Sequence, residues 1–118
     1  MRILRTKDQV VLAASAAEAR WVGRILLTLI DLYRIPPDEL DAKTSDVWYS
    51  TRGCATAKMS AEETHEWIHH LREFRGARLE VLERCEAHLR TVRPDRVARL
   101  ALSLVEASEL IIALNDHR

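Results

Sequence analysis

Two histidines and a glutamate near the middle of this 118-residue sequence have a spacing that is typical of metal chemistry. They are His65, Glu66 and His69, in the order HEWIH. Side chains four residues apart lie on one face of an α-helix, one turn from each other. Neutral imidazole is a common zinc ligand, and a carboxylate beside a zinc-bound water can act as a general base. The pattern makes His65 and His69 candidate metal ligands and Glu66 a candidate catalytic base.

This stretch resembles the HExxH zinc-binding helix of the zincin metallopeptidases. The resemblance covers five of the 118 residues. It implies that His65 and His69 bind zinc and that Glu66 polarises the water that attacks an amide. The later glycine and histidine of the metzincin pattern are replaced by Arg72 and Arg75. The third ligand stays open, and the candidates are Glu80, Glu83 and Glu86.

The helical wheel places this motif away from the apolar side of its helix. Taking about 100° per residue, the apolar stripe centres near Leu71, and both histidines fall on the opposite side. A catalytic zinc ion normally lies in a walled cleft where neighbouring groups orient its ligands. We therefore expect a solvated polar helix face, with a zinc-dependent hydrolase as the alternative.

Two pairs of serine and glutamate are typical of capping boxes at helix N-termini. Apolar residues recur at the helical period after each pair. The pattern predicts a first helix over residues 16–34 and a second helix over residues 61–90. The pairs are Ser15 with Glu18 and Ser60 with Glu63.

The second helix is long for a chain of this size. At about 1.5 Å per residue, residues 61–90 span roughly 45 Å unbroken, whereas a globule of this length spans about 35 Å. Either Gly76 bends or breaks the helix, or the helix projects and a second copy of the chain covers its end.

The remaining segments have weaker patterns. Residues 1–14 alternate and contain two adjacent valines, which predicts a short β-hairpin. Residues 38–59 are polar and mixed, and Trp48 with Tyr49 indicates an ordered connector that docks on the rest of the chain. Apolar spacing after a proline predicts a third helix over residues 94–115.

One carboxylate falls on the apolar side of the first helix. It is Glu18, and Arg75 and Arg78 fall on the apolar side of the second helix. A charge on an apolar face needs a partner. We expect a partly buried ion pair between Glu18 and one of these arginines.

The charge balance disfavours nucleic acid as a partner. The chain has 18 basic and 18 acidic side chains, so its formal net charge is zero. Arginines between residues 72 and 99 alternate with glutamates, which predicts a salt-bridged helix surface. With no apolar run long enough for a membrane span and no signal segment, we expect a cytoplasmic protein that does not bind membranes.

The predicted helices carry more apolar surface than three helices can cover. Leu27 and Ile30 widen the apolar face of the first helix, and Leu102 and Leu110 do the same on the third. A two-fold dimer is the commonest way for a short chain to cover such surface. We therefore expect a homodimer with these four residues at its interface.

Together these patterns predict one mainly α domain, a small three-helix bundle with a short N-terminal β-hairpin. We expect a small interaction or regulatory module that acts as a homodimer on an unidentified protein partner, without catalysis or a cofactor. The alternative from another class is the zinc-dependent hydrolase that uses His65, Glu66 and His69.

Overall fold

The computed structural model describes residues 1–117, which form two compact units. The first, called the sheet unit here, comprises Met1–Ile30 and the described part of Arg78–Arg118. The second, the helical unit, is Asp31–Ala77. No helix in the described part of the chain is both long and apolar enough to cross a membrane.

Three antiparallel strands form the sheet, in the order β1-β2-β3. The first two pair as a hairpin, closed by a hydrogen bond of 2.9 Å from the Thr6 amide to the Gln9 carbonyl. The hairpin predicted for residues 1–14 is therefore confirmed, but it belongs to a larger sheet. The strands are β1 (Arg2–Arg5), β2 (Gln9–Ala14) and β3 (Ala98–Ser103).

The third strand corrects the prediction of a helix over residues 94–115. Burial alternates along β3, with Ala98, Leu100 and Leu102 buried and the residues between them exposed. This period of two is typical of a strand with one covered face. Helix begins only after Ser103, whose hydroxyl accepts from the Glu106 amide while the Glu106 carboxylate accepts from the Ser103 amide. This third capping box is the sequence signal that was missed.

The mainly helical class is confirmed, but the described residues contain five α-helices rather than the three of the predicted bundle. Two of the helices begin at the predicted capping boxes and have the predicted bounds. In both boxes the serine amide donates to the glutamate carboxylate at 3.0 Å. The helices are α1 (Ala16–Arg34), α2 (Ala42–Trp48), α3 (Arg52–Thr56), α4 (Ala61–Arg90) and α5 (Leu104–Asp116), and a 3-10 turn covers Pro37–Glu39.

Helix α4 is continuous through Gly76, so of the two alternatives for this long helix a break at Gly76 does not occur. Gly76 is exposed, and a Cβ atom built on it would meet nothing within 4 Å. Packing therefore does not require a glycine at this position of α4.

Gly76→Ala is expected to raise the free energy of unfolding by about 0.5–1 kcal/mol, because glycine loses more backbone entropy than alanine in a helix interior. Urea unfolding followed by circular dichroism measures the change. The matched control is Ala77→Gly at the next exposed position, which should lower stability by a similar amount. A destabilised Gly76→Ala protein would show that α4 needs a flexible point here.

The predicted ion pair between Glu18 and an arginine of α4 is wrong. Glu18 Oε2 lies 2.6 Å from the N-terminal ammonium of Met1. The hydrogen bond from this ammonium, followed by that from the Ser15 amide, lowers the pKa of Glu18 to about 2. Glu18 is therefore a capping residue rather than a partner of Arg78.

Candidate functional site

A groove of about 860 Å³ runs between α2 and α4 in the helical unit. Helix α4 contributes side chains three or four residues apart, which form one helix face. Helix α2 and the residue that follows it contribute a face with the same spacing. The α4 wall is His65, Ile68, His69 and Arg72, the α2 wall is Ala42, Ser45, Asp46 and Tyr49, and Pro37, Asp38, Leu40 and Thr51 complete the lining.

The start of α2 is fixed by local hydrogen bonds. Asp41 is its N-cap, and its carboxylate accepts from the Thr44 amide at 3.0 Å. This hydrogen bond lowers the pKa of Asp41 below its ordinary value. The Ser45 hydroxyl donates to the Pro37 carbonyl at 3.0 Å and so joins α2 to the 3-10 turn before it.

Aromatic packing holds the end of α2 against other parts of the helical unit. The ring of Trp48 meets Tyr33 edge to face, with ring centroids 5.1 Å apart. Arg75 of α4 donates to the Trp48 carbonyl at 3.1 Å, and its guanidinium lies 5.0 Å from the Trp48 ring centroid and 5.4 Å from that of Tyr49. These contacts order the connector, whose aromatic pair is buried.

Two polar side chains of the groove have partners that do not line it. Asp46 pairs with Arg52 at 2.5 Å, and His69 Nε2 lies 3.0 Å from Glu73 Oε1. All four side chains are largely exposed. The groove is therefore an open surface that combines these polar groups with apolar side chains such as Leu40 and Ile68.

The expectation that the histidine motif lies on an open helix face is corrected in part. His65 and His69 are exposed, but both line the groove, whereas Glu66 is exposed and does not. A zinc site needs a third protein ligand. Within residues 1–117, no group of three His, Cys, Asp or Glu side chains is placed to hold a metal ion. The residues present do not fit a catalytic zinc ion.

Purified protein is expected to retain less than stoichiometric zinc after dialysis, because two ligands on one exposed helix turn bind weakly. Elemental analysis measures the content. The double variant His65→Ala, His69→Ala should have the same content and the same unfolding midpoint as the parent. One zinc ion per chain that disappears in the double variant would revive the hydrolase alternative.

The four predicted interface residues have different environments. Ile30, Leu102 and Leu110 are buried within the chain, whereas Leu27 is 46% exposed. The prediction assumed one helix over residues 94–115. In the structure Leu102 lies on β3 and Leu110 on α5, and both side chains are buried. The chain itself covers three of the four side chains.

Exposed apolar side chains of the sheet unit lie on β1 and α1 and at Val97, and four more lie together on α5. The four large aliphatic side chains on this side of α5 are between 42% and 72% exposed. Taking about 100° per residue, these positions occupy a sector of about 120°. We call this surface the outer face of α5, and it consists of Leu104, Val105, Ser108, Ile111, Ile112 and Asn115.

The acidic residues of α5 lie away from its outer face, in ion pairs with α4. Arg78 Nε is 3.0 Å from Glu109 Oε2, and Arg78 Nη1 is 3.5 Å from Asp116 Oδ2. Arg84 pairs with Glu106. The Ser103 amide, followed by Arg84, lowers the pKa of Glu106 below its ordinary value. These pairs differ from the salt bridges predicted among residues 72–99, because their carboxylates belong to α5. Arg90 with Glu86, 3.7 Å apart on α4, is a pair of the predicted kind.

Comparison with protein-family models, curated proteins and solved structures finds no match to this chain.

Proposed function

We propose that this protein is a non-catalytic interaction module that acts as a homodimer through the outer face of α5. The observation that supports the proposal is the concentration of four exposed aliphatic side chains on one uncharged helix face. Burial of an aliphatic side chain contributes about 1.5–3 kcal/mol. Contiguous apolar patches of this kind mark association surfaces.

The arrangement of this face favours a second copy of the same chain. Leu104 and Ile112 lie four residues before and after Ser108, and Val105 and Ile111 lie three residues before and after it. In an antiparallel pair of α5 helices with a two-fold axis at Ser108, Leu104 meets the partner's Ile112, and Val105 meets the partner's Ile111. The face is therefore self-complementary, as a two-fold interface requires.

Charge also favours self-association. The three acidic residues of α5 are engaged by Arg78 and Arg84, so the outer face carries no charge. Two copies can meet there without like-charge repulsion. The small Ser108 side chain at the centre allows the two helices to approach closely.

We place the dimer in the cytoplasm. Cys54 and Cys85 are both free thiols, and both are buried. Burial raises the pKa of the Cys85 thiol, which keeps it protonated and unreactive. Unpaired cysteines of this kind are typical of a reducing compartment.

Val105→Glu is expected to convert the dimer into a monomer, because it places a charge in the middle of an apolar interface. Light scattering at micromolar concentration should give about twice 13.6 kDa for the parent and about 13.6 kDa for the variant. The matched control is Val47→Glu on α2. Val105 is 72% exposed and Val47 is 71% exposed, so neither change disturbs a core.

Two results would contradict the proposal. One is a parent protein that is monomeric across the micromolar range. The other is a Val105→Glu protein that stays dimeric with an unchanged dissociation constant. Circular dichroism of both variants confirms that the comparison is made between folded proteins.

A further inference from the structure

A second cavity, of about 410 Å³, lies in the sheet unit where α4 ends and β3 begins. Its lining contains three arginines and a histidine, and no carboxylate. We call it the arginine pocket. These side chains are His88, Arg93, Arg96 and Arg99, and Thr91, Val92, Val97 and Ala98 complete the lining.

The surroundings of the pocket's arginines differ from those of three arginines of α4. Arg78, Arg84 and Arg90 each form an ion pair with a carboxylate. Within residues 1–117, no carboxylate lies within ion-pair distance of the guanidinium groups that line the pocket. Asp95 lies in the same turn but does not line the pocket. Positive charge is therefore concentrated here although the whole chain is neutral.

Hydrogen bonds fix the backbone that carries these side chains. The Arg96 amide donates to the Arg93 carbonyl at 3.0 Å, which closes the turn between α4 and β3. His88 Nε2 lies 2.6 Å from the Arg99 carbonyl oxygen. Since a carbonyl only accepts, Nε2 is the donor. The end of α4 is thereby tied to β3, so the three arginines project from an ordered frame.

We propose that the arginine pocket binds the phosphate group of a small molecule. Guanidinium groups present planar pairs of N–H donors that match the oxygens of a phosphate. The volume lies at the lower end of the range for small-molecule sites, which is about 300–1,000 Å³. The neutral charge of the whole chain favours a compact anion over a nucleic acid strand, which needs an extended basic surface.

The test is a titration of the full-length protein with sodium phosphate, followed by ¹H–¹⁵N correlation spectra. Sodium chloride at equal ionic strength is the reference titration. We expect saturable shifts confined to residues 88–99. Arg96→Gln should weaken the affinity about tenfold, as expected for the loss of a charge-assisted hydrogen bond. The matched control is Arg20→Gln on α1, which removes the same charge from another exposed position and should leave the affinity unchanged.

Two further binding experiments distinguish a small-molecule phosphate from a lipid headgroup or a nucleic acid backbone. Vesicles with an anionic lipid and a single-stranded oligonucleotide are tested with the same variants. Binding to soluble phosphate that is lost in Arg96→Gln supports the proposal. The proposal is overturned by binding only to vesicles or only to the oligonucleotide, by shifts that do not saturate, or by equal weakening in Arg20→Gln.

Discussion

Leu82→Ala is expected to lower the free energy of unfolding by about 2–5 kcal/mol, the range for a large-to-small change in a well-packed core. Leu82 is 0% exposed. The loss combines the transfer free energy of the removed atoms with the cost of the cavity that remains. The largest fully buried side chains of the sheet unit are Leu26, Leu29, Leu82, Leu102 and Cys85.

Urea unfolding followed by circular dichroism measures this loss. The matched control is Leu27→Ala, the same substitution on an exposed helix position, which should cost about 0.5 kcal/mol or less, as surface substitutions usually do. If Leu82→Ala lowered the free energy of unfolding as little as Leu27→Ala is expected to, the core would not depend on Leu82.

The second large effect is expected in the helical unit, where Trp48→Ala should cost about 3–5 kcal/mol. Trp48 is 6% exposed, packs edge to face on Tyr33 and lies under the Arg75 guanidinium. Its removal leaves a cavity and takes away an aromatic partner from both neighbours. Trp48→Phe should recover part of the loss, because it keeps the aromatic face.

The control for this change is Trp21→Ala on α1, where the indole is 65% exposed. Both variants lose one tryptophan, so circular dichroism rather than fluorescence should follow unfolding. If Trp21→Ala were as destabilising as Trp48→Ala, the docking of the connector through Trp48 would be refuted.

The bounds of α1 and α4 could be predicted because their signals are local. A serine and a glutamate three residues later satisfy each other's backbone amides, and the apolar period follows at once. The hairpin of residues 1–14 is also a local feature. In each case the interactions that decide the element lie within a few residues.

The third strand and α5 could not be separated by periodicity because no loop lies between them. Leu100 and Leu102 belong to a strand period, and Leu110 belongs to the helix that begins at Leu104. A helical wheel drawn through residues 94–115 places Leu102 and Leu110 outside the main apolar stripe, although both are buried. The same error assigned Leu102 and Leu110 to the dimer interface.

The groove and the arginine pocket depend on contacts between residues that are far apart in the sequence, which local patterns do not predict. Arg75 reaches the Trp48 carbonyl across 27 residues, and His88 reaches Arg99 across 11. A count of charges over the whole chain also conceals which arginines have partners. Arg78, Arg84 and Arg90 of α4 pair with carboxylates, whereas no ion pair involves the arginines of the turn and β3 within residues 1–117.

The central claim, that two copies pair through the outer face of α5, predicts the position of one cross-link. Two helices packed at about 8–10 Å between axes bring residues at the two-fold axis close enough for a disulfide. Ser108→Cys adds an exposed thiol at that axis, whereas both native cysteines are buried. Ala17→Cys adds a thiol at an exposed position of α1.

The decisive measurement is the rate of covalent dimer formation by these two variants under mild oxidation at micromolar concentration. The dimer proposed here predicts that Ser108→Cys is converted almost completely while Ala17→Cys stays mostly monomeric, and that adding Val105→Glu abolishes the difference. Equal rates for Ser108→Cys and Ala17→Cys would contradict it.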